Sequence, residues 1–263
     1  MTKIHVPADH PRKDSLSIRE RIIEGHEKDI VATAGLLAHG RGEAFDYMIG
    51  EQTNELAHMA CRAAVAALLS AKHPIISVNG NICALVPRDL VELSELTGAP
   101  LEINLFYYRA EREEAIATAL RNAGATEILG THDRPSETIP ELSSNRRKVD
   151  SEGIAKADVV LVPLEDGDRT EALRKINKYV VTIDLNPMSR TALLSNITIV
   201  DNVVRSLPLM VEYAREMRDW SAEQLREIVT GFDNAANLSK ALRMMIDYLS
   251  GQAGIGPVEE DET

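Results

Sequence analysis

Aromatic side chains are scarce in this 263-residue chain: three Phe, six Tyr and one Trp, 4% of the whole. A core cannot be built around rings, so it has to be aliphatic, made of Val, Ile, Leu and Ala. Cysteine is scarcer still, with only Cys61 and Cys83. Two thiols supply neither a disulfide framework nor a zinc site by themselves, and they are expected as buried, reduced side chains of a cytoplasmic protein. Basic residues are outnumbered, 29 Lys and Arg against 41 Asp and Glu, for a formal net charge of −12. That balance disfavours broad binding to nucleic acid or to a membrane surface. No apolar run approaches the roughly 20 residues of a membrane span. Lys3, Arg12 and Lys13 lead into a charged helix without the apolar stretch of a signal peptide. Neither G-x-G-x-x-G nor G-x-x-x-x-G-K-[ST] occurs, so dinucleotide and P-loop fingerprints are missing. His pairs at metal-ligand spacing and G-x-S-x-G are missing too, which argues against a zinc site and serine hydrolysis.

What is present is an alternation of apolar runs and helical periods. The first 70 residues read as helices, with apolar residues at helical spacing in SLSIRERIIEGHEKDIVATAGLLAHG and an Ala- and Leu-rich helix from about Thr53 to Ala71. His73-Pro74 ends that helix, because the residue before proline avoids the α region. IISV, LEINLFYY and TEILG then read as strands, with helices over Pro87–Leu96 and Glu111–Ala123 between them. Residues 131–153 have no period and read as a long loop, a lid or a binding segment. Its cationic run Asn145-Arg146-Arg147-Lys148 is expected to be solvated, or to fold over a phosphate at an acidic strand edge. The whole implies an α/β fold: a Rossmann-like, mainly parallel sheet with helices on both faces and an N-terminal helical layer. Residues 1–252 are expected as one α/β unit, with a helical part at 1–72, a sheet core at 73–205 and one helical segment at 206–252. An acidic disordered tail, 253–263, follows.

The densest functional signal runs from Asp158 to Asn202. VVLVPL, YVVTIDL and NITIV each close on a polar cluster: Asp166-Gly167-Asp168-Arg169-Thr170, then Asp184-Leu185-Asn186-Pro187, then Asp201-Asn202. Ligands of open α/β sheets bind outside the carboxyl ends of the strands, so the three clusters point to one composite site. Around Asp168 two compatible readings stand: an N-cap completed by Glu171 as a capping box, or, with Asp166, carboxylates that meet a metal-bound polyanion at a helix N-terminus. The same residues spell D-x-D-x-T, the nucleophile motif of haloacid-dehalogenase-type phosphatases, which makes a phosphatase using Asp166 an alternative. Asn79-Gly80-Asn81 after IISV is a turn that brings backbone N–H groups near a ligand. Asn79, Asn81 and Arg169 are therefore candidate substrate contacts. In Gly40-Arg41-Gly42 two glycines flank an arginine, poor helix design that predicts a special backbone presenting Arg41 to an anion, with His39 beside it.

The segments GLLAHGRGEAFDY, ISVNGN, ALVP, EINLFYY, ADVVLVPLEDGDRTEAL and TIDLNPMSRTA…ITIVDN resemble archaeal phosphopantothenate synthetase, a family also called 4-phosphopantoate–β-alanine ligase. The resemblance runs from about residue 10 to residue 220, in order and at similar spacing. After Asn-Leu-Phe-Tyr this chain has Tyr108 and then Arg109, where the family pattern has an Arg directly. The resemblance implies a homodimeric ligase that joins 4-phosphopantoate to β-alanine with ATP and Mg²⁺, giving 4′-phosphopantothenate, AMP and diphosphate on the way to coenzyme A. It also implies nucleotide contacts from Arg19, Arg41, Asp184, Leu185, Asn186, Ser189, Arg190, Asp201 and Asn202. Asp166 and Asp168 are candidates for the magnesium, and His39, Asp166 or Asp168 for proton transfer. A non-catalytic nucleotide-binding protein is the reading from another functional class.

Overall fold

The computed structural model describes residues 7, 9–10, 12–142 and 144–254. Three helices come first: α1 (Lys13–Glu27), α2 (Thr33–Met48) and α3 (Glu55–Ser70). They are followed by β1 (Pro74–Val78), α4 (Gly80–Leu85), α5 (Pro87–Thr97), β2 (Leu101–Ile103), α6 (Ala110–Ala123) and β3 (Ile128–Leu129). An antiparallel hairpin, β4 (Ser136–Thr138) and β5 (Lys148–Asp150), leads to β6 (Val159–Leu161), α7 (Gly167–Lys175), β7 (Tyr179–Ile183), α8 (Arg190–Leu194) and β8 (Ile197–Ile199). Helices α9 (Val203–Met217), α10 (Ala222–Gly231) and α11 (Asn234–Ala253) close the described part.

The six main strands are all parallel, in the order β3-β2-β1-β6-β7-β8. From β1 the chain winds outward to β3, then crosses back and winds outward the other way from β6 to β8. This is the doubly wound Rossmann order, and the reversal lies between β1 and β6. Alternate residues of each strand serve opposite faces, as a period of two requires. Ile76, Leu161 and Val181 join the large core under α3, α4, α5, α6 and α9, whereas Ile75, Val160 and Val180 join a smaller core under α7 and the segment 139–157. Both cores are aliphatic. Cys61 and Cys83 are buried free thiols in the larger one, and burial pushes the Cys83 thiol up to about 12.

Several local expectations are corrected. Helix α2 passes straight through Gly40 and Gly42, and neither glycine has a positive φ, so no special backbone presents Arg41. Asn79-Gly80-Asn81 is not an open turn: Asn79 is the N-cap of α4, its side chain accepting from the Ile82 N–H at 3.2 Å. LEINLFYY is a strand only over Leu101–Ile103, and Leu105 to Tyr108 leave the sheet as a loop. The 131–153 segment contains the β4–β5 hairpin. It is clasped to the sheet by Glu102, whose carboxylate accepts from the Asp150 N–H at 3.0 Å and the Ile154 N–H at 2.6 Å. The single C-terminal helical segment is three helices, with Pro208 inside α9. Of the acidic tail, residues 255–263 lie outside the described residues, as does Lys3 of the N-terminal reading.

Candidate active site

A cleft of about 370 Å³ opens over the carboxyl ends of the strands at the point where the winding reverses. Asn79, just past β1, donates from Nδ2 to the Pro163 carbonyl at 2.9 Å and so ties the loop after β6 to the floor. Asn81 donates from Nδ2 to the Gly35 carbonyl at 2.9 Å and holds α2 down as the roof. Glycines allow the close packing around these contacts. A Cβ on Gly80 would lie 2.1 Å from the Ile30 carbonyl oxygen, and one on Gly35 would lie 2.3 Å from Asn81 Oδ1. Glycine is required at Gly80 for proximity to backbone rather than for an unusual φ, and a side chain at Gly35 would push the Asn81 amide aside. The two asparagines therefore shape the cleft with their amide N–H groups, while Asn81 Oδ1 faces α2.

Of the residues expected from sequence, His39, Arg41, Asn79, Asn81, Asp166, Leu185 and Asn202 line this cleft. Arg41 is exposed at the mouth and has no hydrogen-bond or ion-pair partner among the described residues. His39 is half-buried, and its Nε2 is enclosed without a hydrogen-bond partner. Burial, with the charge of Arg19, holds its imidazole below the usual value against the pull of Glu43 and Asp46. Neutral imidazole therefore prevails at pH 7. Asn202 is the N-cap of α9 and donates from Nδ2 to Asp46 at 2.7 Å.

The remaining expected residues stand around the cleft without lining it. Arg19 pairs with Glu43 at 2.9 Å, and Glu43 also accepts from the Tyr47 hydroxyl at 2.5 Å. Burial pushes the Glu43 carboxyl up, but these bonds outweigh it and hold the group below its ordinary value. Asp184 accepts from the Ser189 hydroxyl and from the Asn186 N–H, yet burial keeps its carboxyl above the usual range. Asp201 is fully buried between Thr53, at 2.6 Å, and Arg205, also at 2.6 Å, so its oxygens are already engaged.

The Asp166 turn departs from the sequence reading. Asp166, not Asp168, caps α7, accepting from the Arg169 N–H at 2.9 Å. Asp168 is 76% exposed and pairs with Arg190 at 2.6 Å outside the cleft, and Arg190 also takes Glu171, so no capping box forms. The two aspartates do not converge, as the D-x-D-x-T phosphatase reading would need. Arg169 is fully buried beneath the site, donating to Ser77 at 2.9 Å and to Glu165 at 2.5 Å. Arg109 is exposed and pairs with Asp29 at 3.3 Å. Among the described residues no cluster of three His, Cys, Asp or Glu forms a metal site.

Other lining residues escaped the sequence reading: Glu165, Phe106, Tyr107 and Arg112. Arg146 joins them from the hairpin, so the cationic run is split. Arg146 is buried against Glu165 and Asp166, at 2.7 Å from the latter, while Arg147 and Lys148 are exposed. Its guanidinium lies 5.7 Å from the Phe106 ring centroid. Burial brings Arg146 down to about 10, with Arg169 adding to the fall. Asp166, pushed up by burial, is nevertheless held below the ordinary carboxylate range by the Arg169 N–H and Arg146. Arg112 carried a signal: it lies four residues before Ile116 and eight before Leu120, on the buried stripe of α6.

The geometry is that of a mostly apolar pocket with cations at both ends, suited to ligands that carry anionic groups. Comparison with known proteins adds to it. The family model for phosphopantothenate/pantothenate synthetase matches residues 56–248. A Thermococcus kodakarensis protein named 4-phosphopantoate–beta-alanine ligase is 57% identical over 254 residues, covering 96% of this chain and 97% of that one. Proteins of the same name from Thermococcus onnurineus (54% identical, 94% of each chain) and Methanosarcina mazei (48% identical, 94% of this chain and 97% of that one) are similar along nearly their whole lengths. The chain belongs to the phosphopantothenate/pantothenate synthetase family.

Proposed function

We propose that this protein is a 4-phosphopantoate–β-alanine ligase that uses ATP and releases AMP and diphosphate. The observation that carries the reading is the one cleft at the winding reversal, where a free Arg41, a neutral His39 and buried Arg112 and Arg146 surround space for anions. In the first step the pantoate carboxylate oxygen attacks the α-phosphorus of ATP, and diphosphate leaves with the α–β bridging oxygen. In the second the β-alanine nitrogen attacks the acyl carbon, AMP leaves with the bridging oxygen, and the amine proton passes to a base. His39 is that base, because its imidazole is neutral at pH 7 and its side chain lines the cleft. Arg41 orients the nucleotide phosphates, and Leu185 and Asn202 line the same end. Positioning and fixed positive charge supply most of the acceleration.

Magnesium bound to the nucleotide would neutralise phosphate charge, and Asp166, which lines the cleft and now accepts from the Arg169 N–H and Arg146, is the carboxylate that would meet it in exchange for one of those bonds, consistent with the few protein ligands this ion takes. Asp168 has no part in that contact. Leu37 at 77%, Leu193 at 62% and Met188 at 56% exposure leave apolar side chains at the surface on α2, on α8 and in the loop before it, which supports a homodimer. Buried free thiols agree with a reducing compartment such as the cytoplasm.

The test is AMP release by the purified protein with ATP, Mg²⁺ and 4-phosphopantoate, with and without β-alanine. AMP that requires both substrates is expected. Inorganic phosphate alone would favour the phosphatase, and no turnover would favour a binding protein. Carboxylate-¹⁸O-labelled 4-phosphopantoate should deliver label to AMP, and unlabelled AMP would remove the adenylate route.

A further inference from the structure

We infer that Arg205 is a positioning residue: it fixes the roof helix α2, and through it His39 and Arg41, over the cleft. The roles of His39 and Arg41 rest on the ligase reading above; the tether rests on the geometry.

Little apolar packing holds this roof in place. Among the described residues, Asp46 is the only one of the sixteen in α2 that is buried, at 4% exposure. Leu36, Phe45 and Met48 pack against the cores but are only half-buried, and Leu37 is exposed. Near the first turn the Asn81 amide holds the Gly35 carbonyl. Along the outer side Arg12 and Arg19 pair with Glu43, but both arginines are largely exposed, and such pairs contribute little. Asp46 is therefore the anchor of the C-terminal half of the helix.

Arg205, in the first turn of α9, answers that carboxylate. Its Nη2 donates to Asp46 Oδ1 at 2.5 Å and its Nη1 to Asp46 Oδ2 at 3.2 Å. The same Nη2 donates to Asp201 Oδ1 at 2.6 Å, and Nε donates to that oxygen at 2.9 Å. One planar fork thus joins a carboxylate of the roof to a fully buried carboxylate at the end of β8. Thr53 holds the other oxygen of Asp201 at 2.6 Å, so the sheet side of the tether is itself fixed. Asn202 adds a neutral bond to Asp46 from the same turn. Burial pulls the Arg205 guanidinium down, yet the two carboxylates outweigh it and hold the group above its ordinary value.

A buried ion pair contributes little net stability, because desolvation offsets the attraction, but its directional bonds specify one placement of the groups that make it. Here the group placed is a helix. Asp46 stands seven residues after His39, two turns along the same face, so a displacement of Asp46 carries the imidazole with it. Without the guanidinium the two carboxylates would face each other and push α2 away from the sheet.

The experiment compares amide hydrogen exchange and AMP-release kinetics of the wild type and Arg205→Lys. Lysine keeps one positive charge between the carboxylates, so the fold is expected to hold, but an ammonium lacks the fork that reaches both. Amides of α2 are expected to exchange on the order of 10-fold faster, while those of α9, which carries the substitution, keep their rates. kcat/KM for ATP should fall about 10- to 100-fold, the scale of a misplacement of about 1 Å. Should that variant fail to fold, Asp46→Asn loosens the same tether from the helix side and is read in the same way. Faster exchange in α9 and α2 alike, with unchanged kinetics, makes Arg205 structural and overturns the proposal. So does loosening of α2 alone with unchanged kcat/KM, or a kinetic loss with α2 as protected as before. A wild-type protein that releases no AMP overturns the ligase reading, and the exchange comparison then decides the tether on its own.

Discussion

The sheet has a hollow at each end of its strands, and the two differ in kind. At the carboxyl ends lies the 370 Å³ cleft of His39, Arg112 and Arg146; at the amino ends of β6 and β7 lies a larger one, about 550 Å³, lined by Asp158, Tyr179, Arg218, Trp220 and Arg226. Size alone would choose the second. Its carboxylate, however, is engaged, Asp158 accepting from the Lys72 and His73 N–H groups, and among the described residues none of its lining polar side-chain atoms is enclosed without a partner. In the smaller cleft His39 Nε2, Arg112 Nε and Arg146 Nε are enclosed without partners. A fold tolerates such atoms where a ligand completes them, so unanswered polarity marks a site better than volume does.

The contrast breaks most sharply at Arg146. Arg146→Met leaves Asp166 without its partner and Glu165, 1% exposed, with Arg169 alone. Turnover is expected to fall more than about 100-fold and unfolding free energy by about 3 kcal/mol, read by the AMP assay and by urea titration. Unchanged turnover would move the site out of this cleft. Next in size is Arg41→Ala. It should lower kcat/KM for ATP on the order of 30-fold while leaving the urea midpoint in place, since Arg41 is exposed and unpaired. A shifted midpoint would make it structural.

A smaller effect tests the proton acceptor. With His39 as the proposed base, activity is expected to be lost as pH falls through its pKa, which burial holds below the ordinary imidazole value. Removing Arg19 takes away a charge that lowers this pKa and leaves Glu43, which raises it. The acid limb of the pH–kcat profile should therefore move to higher pH in Arg19→Ala, and a limb that stays still would exclude His39. The smallest effect belongs to the other hollow. Arg226→Ala should leave turnover within about twofold, and a larger loss would erase the distinction between the two ends.

The parallel sheet and its strand ends were legible because buried strands need continuous β-branched runs and because ligand loops follow them. VVLVPL, YVVTIDL and NITIV satisfied both conditions. What was not legible was which polar residue at a strand end faces inward. Asp166 and Asp168 are two residues apart in sequence, yet one caps α7 inside the cleft and the other pairs with Arg190 in solvent. Only the position at which α7 starts decides between them. Arg146 was hidden for another reason: its burial depends on Glu102, 44 residues earlier, clasping the hairpin to the sheet. Gly40-Arg41-Gly42 misleads because glycines flanking an arginine predict an unusual backbone torsion, whereas α2 runs straight through both and each has room for a methyl group.

That space has a use of its own. Gly42 lies on the roof of the cleft, and a methyl group added there would meet Leu185 Cδ1 at 3.8 Å, an ordinary contact that displaces nothing. Alanine at this position would strengthen α2 by roughly 1 kcal/mol while narrowing the proposed nucleotide end by one carbon. Gly42 is thus a tuning point for a chemist: with the nucleotide bound at this end as proposed, a graded series from Gly to Ala to Ser is expected to set how bulky an analogue the pocket admits.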